Sequence, residues 1–187
     1  MVRSAVLLLA FPGLLLAGDP VERPEFRQEL RLELLGMEAE DQRYRRPGNQ
    51  DTSKADAINT AHLRRLKQIV AEVGWPGISM VGEDGAQAAW LLVQHADQDR
   101  AYQREILALI EPLVAVGEVS PETFAYLYDR VNLPQRYGTQ GECKAAGQWV
   151  PYAIEDEGGV DSRRAAIGME PLARYAALVS TYLCVER

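Results

Sequence analysis

Few residues in this chain are able to do acid–base or nucleophilic chemistry. Its histidines are His62 and His95, and its cysteines are Cys143 and Cys184. An ordinary imidazole titrates near neutrality, so it can take and return a proton with little tuning. His95 sits in the string QHAD, directly after the most apolar run of the chain, AAWLLV at 88–93. Asp97 follows it by two residues, and Asp129 lies in the string YLYDRV at 126–131. Either carboxylate could orient the imidazole or act as the acid–base group itself. His95, Asp97 and Asp129 are therefore the candidate catalytic residues. Asp41, Gln42, Gln94, Arg130, Tyr137 and Gln140 are candidates for holding a polar or anionic substrate. His62 precedes Arg64, Arg65 and Lys67 and reads as an exposed histidine.

Other motifs fail on spacing. GISMVG at 77–82 has the pattern G-x-S-x-x-G, and no strand-turn-helix context accompanies it, so it is not a nucleophile elbow. His95 and Asp97 point to different sides of a continuous helix, so both could ligate one metal only if the helix ended near Ala96. No recognised metal spacing and no phosphate-cradling glycine loop is present. No metal or other cofactor is implied. Carboxylates are too abundant for spacing to select a catalytic pair.

The elements that must position these groups read as helices. Leu30, Leu34 and Met37 repeat with helical spacing, with Phe26 one turn earlier, and predict a helix over about 24–45. Asp41 and Arg45 stand one turn apart on it and can pair. Pro47 and Gly48 end it, and Asp51, Thr52 or Ser53 can cap the next helix, whose stripe of Ile58, Leu63, Leu66, Ile69, Val70 and Val73 runs to about 73. Asp84 is a good N-cap for a central helix reaching about Ala96. Because that helix is apolar all round, it is read as buried, and the polar Gln94 and His95 at its tip need partners. A further helix over about 99–109 should kink or end near Ile110, because Pro112 follows. Ser120, Pro121 and Glu122 form a strong helix start. From 134 to 154 helical periodicity fails, and glycines at 138, 141 and 147 predict a small irregular β-hairpin or loop. Helices over 161–166 and 170–184 close the chain, with Pro171 at N1 and a stripe of Leu172, Tyr175, Leu178, Val179 and Tyr182. The fold class predicted is mainly α, a compact bundle of about six helices with that insert.

Residues 1–17 read as a signal peptide, with Arg3 as the positive start and residues 5–17 as an apolar core too short to span a membrane. Residues 18–187 then form one globular helical domain, exported to the periplasm or secreted, with no membrane contact after cleavage. The net charge is −7, and removing Arg3 makes the mature chain one unit more acidic. An acidic chain without a basic cluster is a poor nucleic-acid binder. In an exported protein Cys143 and Cys184 are expected to form a disulfide, two free thiols being the alternative.

Several short strings together carry a resemblance. They are DQ at 41–42, GWP at 74–76, VG at 81–82, AAWLLVQHAD at 88–97, Gln103, YLYDRV at 126–131, YGTQ at 137–140 and RRAAIGMEPL at 163–172. The combination resembles the bacterial family known as domain of unknown function 6624, over roughly 29–175. The resemblance implies a mostly helical, often exported domain, with no named activity. These strings are rich in polar side chains, including Gln103 and the site candidates above, which packing alone would not require. That pattern predicts their convergence on one polar cleft. Three functions fit it: a cell-envelope module binding an unknown small molecule or envelope protein; an exported hydrolase using His95 as general acid or base; and an immunity-type protein that blocks a partner with its acidic surface.

Overall fold

A computed structural model describes residues 25–45, 52–145 and 147–184. The signal segment 1–17, the expected helix start at Pro24 and the Pro47–Gly48 break with its Asp51 cap lie outside the described residues.

Among the described residues the chain forms seven helices and one hairpin: α1 (Gln28–Arg45), α2 (Thr52–Val73), α3 (Ile78–Gln94), α4 (Arg100–Ala115), α5 (Pro121–Val131), β1 (Gly141–Ala145), β2 (Gln148–Pro151), α6 (Val160–Ala166) and α7 (Leu172–Leu183). The mainly α class with a small β insert is the class the periodicity predicts. α3 is the central element, packed chiefly on α1 and also touching α2, α4 and α5. Its small residues Ala88 and Ala89 are fully buried, as is Val93, against a core that includes Leu34, Leu66, Ile69, Ile106, Ile110 and Leu127. Small side chains on the middle helix let its neighbours approach closely, which is why an apolar run without a polar face becomes the core of the bundle.

α3 starts earlier than expected and is bent. Its first turn begins at Ile78, and Gly82 interrupts it with φ 76° and ψ 167°, a conformation that L side chains rarely adopt. Asp84 lies just past the bend. It takes a bidentate contact from Arg31 of α1, with Nε at 2.8 Å, and accepts the Gly85 N–H at 2.8 Å. The helix ends at Gln94, with His95 as C-cap.

Other expectations need correction. Phe26 is 51% exposed and contributes nothing to the α1 stripe. α4 continues through Pro112 to Ala115. Proline removes one backbone bond, and Ile106 and Ile110 stay fully buried on the same face, so tertiary packing outweighs that loss. Asp99 caps α4 through the Tyr102 N–H at 3.0 Å. His62 is buried rather than exposed, at 8% exposure, because Glu40 of α1 reaches its Nε2 at 3.1 Å. Pro171 occupies the N-cap of α7 rather than N1. α7 has the predicted stripe but buries none of its residues, and Tyr182 is 72% exposed.

α7 is held instead by its attachment to the hairpin. β1 and β2 pair antiparallel, with Cys143 opposite Trp149. Cys143 is bonded to Cys184, 41 residues away in sequence. The Gly147 N–H donates to the Cys184 carbonyl at 2.5 Å, and the Trp149 N–H donates to Ser180 Oγ at 2.8 Å. No helix among the described residues is long and apolar enough to cross a membrane.

α7 has only half-buried side chains, such as Tyr175 against Trp149 and Tyr126, so the covalent link adds substantially to its attachment. Closing a loop of this length contributes about 4 kcal/mol on the chain-entropy model. Replacing both cysteines by serine is expected to speed amide hydrogen exchange in α7 and the hairpin strongly, while α3 amides keep their protection.

Candidate functional site

The last turn of α3 leaves carbonyls without intrahelical donors. Gln103 of α4, fully buried, supplies one: its Nε2 donates to the Val93 carbonyl at 2.9 Å and lies 3.3 Å from that of Gln94. The chain then turns through His95, Ala96 and Asp97, and polar side chains gather on both sides of that turn.

On the α1 side stands Asp41, 2% exposed. Its Oδ2 lies 2.7 Å from His95 Nδ1. Arg45 Nε contacts both oxygens, at 3.0 and 3.1 Å, and Gln42 Nε2 donates to Oδ2 at 2.9 Å. Asn59 of α2, turned so that both ends of its amide are satisfied, adds a donor to Oδ1 at 3.1 Å. Burial pushes the Asp41 carboxyl up, but the His95 and Arg45 interactions outweigh it and the net displacement is downward. Asp41 is therefore ionised at neutral pH and can only accept. Nδ1 must carry the hydrogen, which leaves Nε2 as the lone-pair nitrogen of the neutral ring. The imidazole keeps 20% of its surface open, and Nε2 meets no hydrogen-bond partner among the described residues.

On the α5 side, Asp97 receives a bidentate contact from Arg130, with Nε at 3.1 Å and Nη2 at 2.5 Å. Arg130 also donates to Gln140 Oε1 at 2.9 Å, and Arg100 lies 3.3 Å from Asp97. Arg100 in turn donates to the Arg130 carbonyl at 2.7 Å and to Gln103 at 3.1 Å. A cavity of about 540 Å³ opens beside this group, lined by Arg100, Arg104, Arg130 and Asn132 among others. Arg104 has no ion-pair partner among the described residues.

Asp129 does something else. It is 2% exposed and accepts the N–H groups of Arg136 (2.8 Å), Tyr137 (3.1 Å) and Thr139 (2.9 Å) and the Thr139 hydroxyl (3.0 Å). Its oxygens are committed to folding the 136–139 loop. Asp97 is likewise committed to arginines. The hydrogen-bond partner of the imidazole is Asp41, a residue the spacing placed among the substrate-holding candidates. Tyr137 belongs to the loop: its carbonyl accepts from the buried Arg164 at 2.7 Å, and burial pushes its phenol up. Gln94 is 6% exposed, with its amide nitrogen unpartnered.

The candidates therefore form two linked groups at one end of α3. His95, Asp41 and Gln42 make the first. Asp97, Arg130 and Gln140 make the second, which joins Asp129 through Thr139: Gln140 Nε2 donates to Thr139 Oγ1 at 3.2 Å. Asn59, Arg100, Arg104 and Arg164 complete the arrangement without having been singled out by sequence. The one available signal was that Arg164 lies in the RRAAIGMEPL string. Among the described residues no group of three or more His, Cys, Asp or Glu side chains is arranged to hold a metal ion.

A helical domain with a small disulfide-bonded hairpin and a polar cluster at the tip of its central helix is what fold and site define. A family model described as "Family of unknown function (DUF6624)" matches residues 28–185, and the chain belongs to that family. No curated protein and no solved structure matches the chain.

Two outcomes follow from the Asp41 geometry. In ¹⁵N NMR spectra at alkaline pH, His95 is expected to be the Nδ1–H tautomer, with Nε2 unprotonated. The folded-state value of Asp41 is depressed, so its stabilisation is present above the ordinary carboxylate value near 3.8 and is lost as pH falls through the lower folded value. Asp41→Asn should cost about 2 kcal/mol at pH 7, the worth of hydrogen bonds to a charged group. In urea titrations the gap to wild type should close below pH 3.8.

Proposed function

We propose that the chain is an exported hydrolytic enzyme in which His95 is the general acid and base and Asp41 positions it. The observation that carries this reading is the 2.7 Å contact between a buried, ionised Asp41 and His95 Nδ1, on a ring that remains partly open. Such a carboxylate fixes the tautomer and orientation and stabilises the imidazolium that forms. In the reaction, Nε2 takes a proton from water while the water oxygen bonds to the electrophilic carbon or phosphorus of the substrate. The bond to the leaving oxygen or nitrogen breaks, and the imidazolium returns its proton to that atom. Asp41 stays ionised throughout.

The arginine-lined cavity supports an anionic substrate. Asp97 connects it to His95, following the histidine by two residues and bonding Arg100 and Arg130, which line the cavity. Arg130 and Gln140 then hold the wall rather than the substrate, and Arg104, without an ion-pair partner among the described residues, meets the substrate. The disulfide supports an oxidising compartment, as export would provide.

A second reading, a non-catalytic binding or interaction module of the cell envelope, is favoured by one observation. Asp41 is ringed by Arg45, Gln42 and Asn59 as well as His95, the arrangement of a polar network that fixes a fold. The acidic charge that would suit an immunity-type inhibitor finds no specific support in the site.

Hydrolysis of 4-nitrophenyl phosphate, bis(4-nitrophenyl) phosphate and 4-nitrophenyl hemisuccinate tests the enzyme reading. His95→Ala should lower a detected rate at least about 100-fold at a temperature where the variant is still fully folded. Arg104→Ala should raise KM for the anionic probes with kcat little altered. Full activity in His95→Ala ends the assignment of His95 as the general acid and base. A melting temperature lower by about 4–8 °C, with no activity in either protein, favours the module.

A further inference from the structure

The opposite end of α3 borders a different cavity, of about 560 Å³. It lies between α3 and the segment leading into α5. Its apolar wall is formed by Trp75, Ile78, Trp90 and Val119, and its polar lining includes Glu83, Asp84 and Glu118. No lysine or arginine lines it. The volume is that of an ordinary small-ligand site. Glu83 and His95 stand about 18 Å apart along the helix, at 1.5 Å per residue, so this cavity is separate from the histidine site.

The lining is built rather than incidental. Glu118 Oε2 accepts the Ser79 N–H at 2.9 Å, and its carbonyl accepts the Ile78 N–H at 3.1 Å. This close approach requires glycine at 77, where a Cβ would lie 2.4 Å from Glu118 Oε2. The GWPG turn therefore exists in the form that seats a carboxylate against the apolar wall. Asp84 is neutralised from outside by Arg31, whereas Glu83 has no ion-pair partner among the described residues. The site keeps a net negative charge beside indole faces, the surroundings that favour an organic cation.

A basic side chain offers what the cavity lacks: a cationic head for Glu83 and Glu118 and a hydrocarbon stem for the apolar wall.

We propose that this cavity is a binding site for an arginine or lysine side chain, whose cation seats between Glu83 and Glu118 beside the apolar wall of Trp75 and Trp90. The site is independent of the His95 reading and stands whether or not the chain is an enzyme.

Isothermal titration of the full, oxidised chain at low salt tests it with three probes. N-acetyl-arginine methylamide carries cation and acceptors, N-acetyl-citrulline methylamide is its neutral counterpart, and butylguanidinium carries the cation alone. The arginine compound should bind saturably and at least about tenfold more tightly than the citrulline compound, with butylguanidinium also binding saturably. The double variant Glu83→Gln, Glu118→Gln keeps an acceptor for the Ser79 N–H and should lose about tenfold in affinity for the arginine compound at a temperature where it is fully folded. Equal affinity for arginine and citrulline compounds, absence of saturable binding of the arginine compound, or unchanged affinity in the double variant overturns the proposal. Absence of saturable butylguanidinium binding overturns the side-chain assignment. The probe comparison uses the wild-type chain, so it decides even if the double variant does not fold.

Discussion

The arrangement at the tip of α3 depends on one requirement: a carboxylate removed from water must be surrounded by donors. Asp41 is nearly sealed between α1 and α3, and an unmatched charge there would cost several kcal/mol. The donors come from three helices: Gln42 and Arg45 from α1, Asn59 from α2, and His95 at the end of α3. Meeting that requirement fixes the register of α1 against α3. It also fixes the ring of His95, because a carboxylate that can only accept dictates which nitrogen carries hydrogen. A structural demand thereby leaves an imidazole with its basic nitrogen turned away from its anchor.

The same rule operates a second time around Asp129, with a different result. There the donors are the backbone N–H groups of the 136–139 loop, and the carboxylate shapes a segment that has no regular structure of its own. Gln135 continues the task, donating to the carbonyls of Gln140 and Tyr152 at 2.8 and 3.0 Å. Arg164 does so from the cationic side, with the carbonyls of Tyr137 and Glu170 at 2.7 and 2.6 Å. Two buried aspartates thus serve opposite ends: one presents a side chain, the other folds a loop. What distinguishes them is the identity of the donors, side chains in the first case and backbone in the second.

Local features of this architecture were legible in the sequence. Ser120 caps α5 through the Thr123 N–H at 3.1 Å, and Asp41 pairs with Arg45 one turn away, as their spacings predict. The hairpin and the cysteine pair also follow from composition and turn residues. What sequence could not supply was partner choice across long separations. Asp41 and His95 meet only because α1 lies along α3, and nothing in DQ or QHAD encodes that packing. His62 was misread for the same reason, since its basic neighbours point to solvent while Glu40 arrives from another helix. Pro112 and the stripe of α7 failed in the other direction. A local rule predicted a kink or an end, and packing carried the helix past the proline; a helical stripe predicted burial where the hairpin and a few side chains such as Tyr126 and Arg164 cover α7 only in part.

The bend at Gly82 sets the long segment of α3 between two groups of opposite sign. Glu83 and the Arg31-paired Asp84 stand in its first turn, while Arg100 and Arg130, sharing the single carboxylate of Asp97, leave a net positive charge beside its last. A helix carries partial positive charge at its amino end and partial negative charge at its carboxyl end. The side chains at each end therefore oppose the macrodipole of the segment they flank. The helix that forms the centre of the core is electrically compensated by residues belonging to its two cavities, and altering the charge of either one acts on the stability of the rod between them.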